Sequence, residues 1–498
     1  MVTVTKNGSD HVKSLRDGRE VYIDGELVED VTAHPAFRNA VQSAAALYDM
    51  QASPEFEQLL TYDSPRTGER VNRAWQLPRS YEELADRRRA LMKWQEPHLG
   101  FLGRSPDHVA SCIAAMYMSA HIYDEAGPNY GAAVRDYYEY ARDNDLYLTY
   151  TIVNPQTNKT QALQDQDADL TLAIVDEDSE GITVRGAKML ATSGVMANEI
   201  FVSGVQPLKP GDERHAVSFA MPLSTKGIQN LSRRSYEASA SSTFDNPVSS
   251  HLDEADGVIF FDDVKVPWER VFVNRDIGLL EKQFHGSPVH VYQNYQCNIR
   301  LLVKLRFLGA IAHRITEINS TTQFPQVKET LGQLAAEIGM VDALMHAMET
   351  KGHQYGEYFV PDPGLLYSSQ VLTQQLYPKV IHTLRELSGG GVIMLPSSVK
   401  DYDNPTVADR VRRVQKSAVA TPDERVKLFK LAWDVIGSEF ASRHLQYEMF
   451  YNGAPFVVRG NAYRTFDWAE GRTLLDSFLN SYGGPELSAR KPELHVAR

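Results

Sequence analysis

Residues 170–188 read LTLAIVDE (170–177), Asp-Ser-Glu, then GITVRGAK (181–188), and the same pattern returns in EIFVSGV (199–205) and GVIFFDDV (257–264). The period in these runs differs from that of a helix and reads as strand. Gly, Asp, Ser and Pro clusters separate the runs. The pattern predicts a β domain from Leu146 to about Val273, with a hairpin turn at DEDSEG (176–181) and an exposed loop at VQPLKPGDERH (205–215).

Outside this stretch the period changes to that of helices. Ser80-Tyr-Glu-Glu83 is a helix start in which Ser80 caps and Glu83 bonds back, and the run behind it sets Leu84, Arg88, Leu91 and Gln95 on one side. Further helical stretches cover about 106–124 and 131–145. Past the β region, Val327, Leu331, Leu334, Ile338, Val341, Met345 and Met348 recur at spacings of four and three, the repeat of a helix packed nearly parallel to its neighbours. Leu301, Leu305, Leu308, Ala312 and Ile315 follow the same spacing, with Ile299, Val303, Phe307 and Ile311 on a second face, as in a central helix contacted on several sides. The fold class is therefore α+β, divided into an N-terminal helical domain (1–148), a central β domain (149–275) and a C-terminal helical bundle with its tail (276–498). That order is the plan of acyl-CoA dehydrogenase-like proteins. The polar tail SARKPELHVAR (488–498) is expected to be loosely ordered or to reach a neighbouring subunit.

Composition narrows the function. The chain has 498 residues, 43% hydrophobic and 23% charged, and 64 acids against 51 bases give a net charge of −13. This excludes a general nucleic-acid or anionic-membrane binder and favours small-molecule or protein partners. Two cysteines, Cys112 and Cys297, are too few for a disulfide framework and point to a reducing, cytoplasmic location. No apolar run approaches the ~18 residues of a membrane span. There is no GxGxxG, Walker A, HExxH or GxSxG motif, and Asp165, Asp167 and Asp169 lack the Gly and distal Glu of a calcium loop. The chain thus has no nicotinamide or metal site of its own that sequence can identify. Cys297 reads as a core or helix-facing thiol, and His444 and Glu448, one turn apart, read as either a ligand pair or a buried polar contact.

Seven stretches spread over nearly the whole chain resemble the 4-hydroxyphenylacetate 3-monooxygenase family, the oxygenase components of two-component phenol hydroxylases. They are 14–39 (SLRDGREVYIDGELVEDVTAHPAFRN), GRSPDH (103–108), IVNP (152–155), GAKMLATSG (186–194), RSYE (234–237), FDNPVSSHLDEADGVIFFDDVKVPWERVF (244–272) and RVKLFKLAWDVIGSEFASRHLQYEMFYNG (425–453). The resemblance implies a flavoprotein monooxygenase of aromatic-compound catabolism. FADH2 from a separate NAD(P)H:flavin reductase reacts with O2, and the resulting flavin hydroperoxide hydroxylates a phenol ortho to its oxygen. A homotetramer is implied as well. Alternatives are a chlorophenol or nitrophenol monooxygenase, a 4-hydroxyacyl-CoA dehydratase-like lyase, and a flavin-sequestering protein without turnover. The lyase needs three cysteines and a histidine for its iron–sulfur cluster. His290 and Cys297 match part of that set, and the remaining thiols are absent.

The resemblance also assigns residues. Arg104 is the substrate-pocket arginine, whose fixed charge lowers a phenol's pKa; without the motif it reads as a structural salt bridge. The family has tyrosine where this chain has His108, and histidine where it has Tyr150. His108 is then expected to accept or share the phenol proton while Tyr150 and Arg104 stabilise the oxyanion; in the alternative, His108 packs beneath the pocket and Tyr150 shapes it. The exchange puts the usual substrate in doubt, and in the 205–215 loop Lys209 and Arg214 are available to a different acid. Flavin contacts are implied for Thr151, Ile152, Asn154, Thr192, Tyr451, Asn452 and Gly453. Gly389 to Gly391 is open to two readings, a phosphate approach across a subunit interface or a helix C-cap.

Overall fold

The alternating segments form two sheets that share one apolar core in the computed structural model, which describes residues 5–482 apart from 156, 157, 159, 162 and 168. One sheet has six strands, in the order Glu26–Leu27, Glu20–Ile23, Ile228–Ser232, Gly257–Pro267, Gly181–Met189 and Ala173–Glu177. The other has four, in the order Val271–Asn274, Val217–Pro222, Glu199–Val202 and Leu148–Thr151. Ile182 and Val184 point into the core between the sheets, while Thr183 and Arg185, which alternate with them, are half-buried. Every residue of the parallel pair Leu148–Thr151 and Glu199–Val202 is buried, because helices cover the outer face of the smaller sheet.

The predicted hairpin is present, with Ala173–Glu177 antiparallel to Gly181–Met189. The N-terminal stretch is less purely helical than its sequence suggests. Glu20–Ile23 pairs in parallel with Ile228–Ser232 and turns back through Asp24 (φ 53°) and Gly25 (φ 83°) into Glu26–Leu27, so this stretch supplies two strands of the larger sheet. Thr61–Asp63 and Arg70–Asn72 form a separate ribbon. The predicted helices run over Tyr81–Gln95, Pro106–Met118 with Ala120–Asp124, and Pro128–Asp143. Ser80 caps the first as expected, whereas Glu83 accepts from the backbone N–H of Arg79 instead of from Ser80.

The bundle centres on Val289–Ile318, a helix of 30 residues and so about 45 Å long. Leu301, Leu305, Leu308, Ala312 and Ile315 are all buried on it, together with Ile299 and Ile311. Pro325–Thr350 and Pro363–Ser388 pack against it, as does Pro106–Met118 from the N-terminal half. Leu334, Val341, Met345 and Met348 are the buried stripe of the repeat read from sequence. Gly389 (φ 55°) ends Pro363–Ser388 as its C-cap. The tail 488–498 lies outside the described residues. Among the described residues, no helix is long and apolar enough to cross a membrane.

A fully buried charge cluster joins this bundle to Glu439–Phe450. Arg300 grips Glu448 with both guanidinium nitrogens (2.6 and 2.7 Å), and Lys304 donates to Glu448 (2.9 Å) and lies 3.1 Å from His444 Nδ1. The pair His444 and Glu448 is thus a buried polar contact. Burial raises the Glu448 pKa, but Arg300 and Lys304 overcome it and bring it to about 2. Because that is below the ~4.3 of an unfolded glutamate, the contribution is complete above that range and disappears as pH falls toward 2. Glu448→Ala leaves two buried cations unpaired and should cost about 3–5 kcal/mol in urea unfolding at pH 7. The difference from the parent should shrink toward pH 3.

Candidate active site

GRSPDH forms the turn into Pro106–Met118, with Pro106 at the first helical turn, where its missing N–H is harmless. A Cβ on Gly103 would lie 2.1 Å from the Tyr447 hydroxyl, so only glycine fits beneath that ring. The Arg104 backbone is pinned from the β domain at both ends. Its N–H donates to Glu254 Oε1 (2.7 Å), and its carbonyl accepts from the Tyr147 hydroxyl (2.7 Å).

The Arg104 side chain is 6% exposed and meets only neutral groups. Nη2 donates to Tyr150 Oη (2.7 Å) and to the Tyr451 carbonyl (3.3 Å), and Nη1 lies 2.8 Å from His108 Nε2. Tyr150, Tyr451 and Tyr447 surround the guanidinium carbon, their ring centroids 4.7, 5.2 and 5.6 Å away. Among the described residues no carboxylate pairs with it. Arg104 is therefore a buried cation without a counter-ion, and not the salt bridge that would have been its structural reading.

His108 sits behind Arg104, fully buried, and is not on the cavity wall. Arginine only donates, so Nε2 must accept from Arg104 Nη1, and it accepts also from Gln293 Nε2 (3.0 Å). Burial, and then the charge of Arg104, hold the His108 pKa well below 6.5. The ring is neutral, its proton is on Nδ1 facing Gln296 Oε1 (3.0 Å), and its one lone pair is taken. The nitrogen that would take a phenol proton thus faces two donors, the arrangement of the alternative in which His108 packs beneath the pocket. Burial raises Tyr150 and Arg104 lowers it, leaving it at about 12, so it is a phenol at neutral pH with a proton to donate.

Arg104 and Tyr150 open onto a cavity of about 470 Å³ between the β domain and the C-terminal helices. Of the residues assigned to flavin, Ile152, Thr192 and Tyr451 line it. The others do not. The Thr151 hydroxyl donates to the Met189 carbonyl (2.8 Å), Asn154 bridges Lys188 Nζ and Gln206 Oε1 (both 2.7 Å), and Gln374 Nε2 holds Asn452 Oδ1 (2.9 Å) and the Gly453 carbonyl (2.8 Å). Lys209 and Arg214 are also away from this wall, Arg214 donating to His215 Nε2 (3.0 Å). Thr192 donates its hydroxyl to Asp256 (2.7 Å), an acid that burial would raise but that Arg443 and Arg233 hold far below its usual pKa.

Arg443, Tyr447 and Phe450 line the cavity without having been singled out from the sequence. The signal was available in part, since Arg443, Tyr447 and Tyr451 recur every four residues along the last matching stretch and so share a helix face. Gln293 and Gln296 carried no signal, being polar residues on a helix whose spacing marked it as core. His290 Nδ1 faces the Tyr367 hydroxyl (3.1 Å), and Cys297 Sγ lies 3.6 Å from His108 Nδ1.

Two sheets flanked by helical layers, with a cavity at their junction, define an acyl-CoA dehydrogenase-like protein. The profile of the 4-hydroxyphenylacetate 3-hydroxylase N-terminal region matches residues 7–273 and that of its C-terminal region matches residues 280–480. The chain belongs to the 4-hydroxyphenylacetate 3-hydroxylase family. It is 34% identical over 464 residues to the 4-hydroxyphenylacetate 3-monooxygenase oxygenase component of Geobacillus sp. (92% of this chain, 93% of that one). It is also 34% identical over 469 residues to the 4-nitrophenol 2-monooxygenase oxygenase component of Rhodococcus sp. (91% and 87%). A crystal structure of a 4-hydroxyphenylacetate 3-monooxygenase oxygenase component, complexed with FAD and 4-hydroxyphenylacetate, superposes with a TM-score of 0.90 at 31% identity, covering 95% of this chain and 98% of that one. A 4-hydroxybutyryl-CoA dehydratase from N. maritimus, 20% identical with a TM-score of 0.87 over 98% and 97% of the two chains, shares the fold.

Lys188, beside Asn154, is buried, and burial alone lowers its pKa to about 7. Between that value and the ~10.4 of an unfolded lysine, the unfolded chain holds one proton more than the folded one, so this group makes stability rise with pH. Lys188→Met should remove up to about 1.4 kcal/mol per pH unit of that slope, read by urea unfolding from pH 7 to 10. An unchanged slope would mean that Lys188 keeps an ordinary pKa.

Proposed function

We propose that the protein is the oxygenase component of a two-component, FADH2-dependent phenol monooxygenase: phenol + O2 + FADH2 gives catechol + FAD + H2O. The observation that carries this reading is the unpaired Arg104 guanidinium on the cavity wall beside the Tyr150 hydroxyl. A buried cation without an acid stabilises an anion at the vacant donor positions, and the anion of a phenol is the form activated for attack ortho to its oxygen. Arg104 holds the phenolate, Tyr150 donates its proton to the same oxygen, and His108 acts from behind as a fixed acceptor that orients Arg104.

The cavity suits FAD. Leu190 and Phe450 expose apolar side chains on its walls, where a flat ring system would cover them. Tyr447 brings a buried hydroxyl with no partner among the described residues. Beyond Tyr236 and Arg443 the cavity meets a groove carrying Ser438, Ser442 and Arg234, the last paired with Glu439 on the same groove. When bound, reduced FAD supplies the activation of O2. Ile152, Thr192 and Tyr451 would line its ring, and the surrounding tyrosines exclude water from Arg104. The electrons come from a separate NAD(P)H:flavin reductase, since no GxGxxG is present. The setting is the cytoplasm, and the three segments 1–148, 149–275 and 276–498 act as one unit around the cavity. The ring substituents of the substrate differ from those of 4-hydroxyphenylacetate because of the exchange at His108 and Tyr150.

With chemically reduced FAD under air and a panel of phenols, the parent should form a product one oxygen heavier by mass without a reductase. Arg104→Met should lose about a hundredfold or more in hydroxylation, the scale of removing one preorganised oxyanion donor, while peroxide still forms. Hydroxylation by Arg104→Met within about threefold of the parent, on that scale, would remove Arg104 from the site. NADH oxidation by the isolated chain at the hydroxylation rate would overturn the two-component reading.

We also propose a homotetramer. Trp468–Leu479 buries none of its residues, and Trp468, Leu474, Leu475 and Phe478 are all exposed. An amphipathic helix in that state is stable when another chain covers it. Light scattering should give the mass of four chains, and Leu475→Asp with Phe478→Asp should lower it.

A further inference from the structure

We infer that Asp107 and Gln296 are positioning residues that aim the Arg104 charge, by holding His108 in the Nδ1–H tautomer that its bond to Arg104 requires. The inference rests on the phenol-site reading above. Three buried donors converge on the Asp107 carboxylate: Ser105 Oγ (2.5 Å), Gln95 Nε2 (2.8 Å) and Gln296 Nε2 (3.0 Å). Burial raises the Asp107 pKa against the hydrogen bonds from Ser105 and Gln296 and the charge of Arg87; with three donors directed at it the carboxylate is the acceptor, so the NH2 end of Gln296 faces Asp107 and its oxygen faces His108 Nδ1. That oxygen takes the Nδ1 proton and leaves Nε2 as a lone pair. Nε2 in turn holds Arg104 Nη1 (2.8 Å), which leaves Nη2 facing Tyr150.

Every link in this chain is buried, so water does not compete for the bonds. The other groups around the His108 ring leave this polarity in place. Gln293 presents a donor to Nε2, the Cys297 thiol lies 3.6 Å from Nδ1, and the Tyr150 ring is 5.4 Å away. The charges of Arg104 and Arg300 both disfavour a second proton. The chain is thus a one-way sequence from acid to amide to imidazole to guanidinium, with the acid four links from the reacting oxygen.

Reversing the first link reverses the rest. In Asp107→Asn the new amide can donate to the Gln296 oxygen. Gln296 then turns its NH2 toward His108 Nδ1, the ring proton moves to Nε2, and Nε2–H meets an Arg104 N–H donor to donor. Gln296→Met removes the lock without adding a donor.

Two measurements on the full chain test this. The first is the nitrogen-15 spectrum of protein labelled in histidine, with His108→Phe identifying the signal. The parent should show His108 protonated at Nδ1, and Asp107→Asn should show it at Nε2. The second is the pKa of bound 4-nitrophenol, read from its phenolate absorbance on flavin-free protein. The parent should lower it, and each single variant should raise it by about one unit, a tenfold loss of phenolate. Since both residues act through His108, the double variant should be no worse than the poorer single one.

An Nε2–H signal in the parent, or single variants that leave the bound pKa at the parent value, would overturn the inference. Additive effects in the double variant would also overturn it, since they would show two independent structural roles. If the parent itself leaves the nitrophenol pKa unchanged while His108 is protonated at Nδ1, the phenol-site reading fails and the hydrogen-bond chain stands. Should Asp107→Asn not fold, Gln296→Met decides the outcome alone by the same two readouts.

Discussion

The structure is organised around keeping one positive charge out of water without giving it an acid. A buried guanidinium without a counter-ion is among the costliest groups a protein can hold, and it persists only where its surroundings over-determine it. Each layer of the fold contributes to Arg104. Glu254 and Tyr147 of the β region fix its backbone, Tyr150 takes Nη2, His108 at the start of the next helix takes Nη1, and the Tyr451 carbonyl arrives from the C-terminal helices. Removing any one layer would let the arginine relax toward solvent or toward Glu254, and its charge would no longer be reserved for a ligand.

The neighbouring cations show how specific this arrangement is. Arg443 is matched by Glu254 and Asp256, Arg233 by Asp253 and Asp256, and Arg300 with Lys304 by Glu448. All of these lie within the shells around the cavity, yet none of their acids reaches Arg104. Glu254 comes nearest, and it spends its free oxygen on the Arg104 backbone N–H, which places the carboxylate without neutralising the side chain. Keeping acid and guanidinium apart in this way preserves the field that a phenolate would meet.

The fold was legible where periodicity was strong. The helices Pro325–Thr350 and Val289–Ile318 and the strand Gly181–Met189 all appear where the spacing places them. The strands Glu20–Ile23 and Glu26–Leu27 are too short to show a period, though Asp24-Gly25 between Ile23 and Glu26 is the turn chemistry of a hairpin. Arg104, Tyr150, Ile152, Thr192 and Tyr451 were found by motif and meet at one cavity. Thr151 and Asn154 are only one or two residues away from that wall, yet they bond inward. Strand alternation sends Thr151 to the face opposite Tyr150, whereas Asn154 lies past the strand end and is taken up by Lys188 and Gln206. His108 is a different case. Its residue type suggests a base, but the type cannot reveal that arginine and glutamine donors already occupy its lone pair.

The exchange of His108 and Tyr150 relative to the family follows from the same accounting. Arg104 offers donors in two directions and needs an acceptor in each. A tyrosine hydroxyl can accept from arginine and still donate its own proton, whereas a neutral imidazole facing arginine can only accept. Whichever of the two positions carries the phenol therefore carries the proton that a substrate oxygen can receive. In this chain that position is 150, on the strand side of the cavity, and the imidazole has moved to the helix side, where Gln293 and Gln296 close around it. The exchange thus preserves the charge and places the donor on the strand side of the cavity.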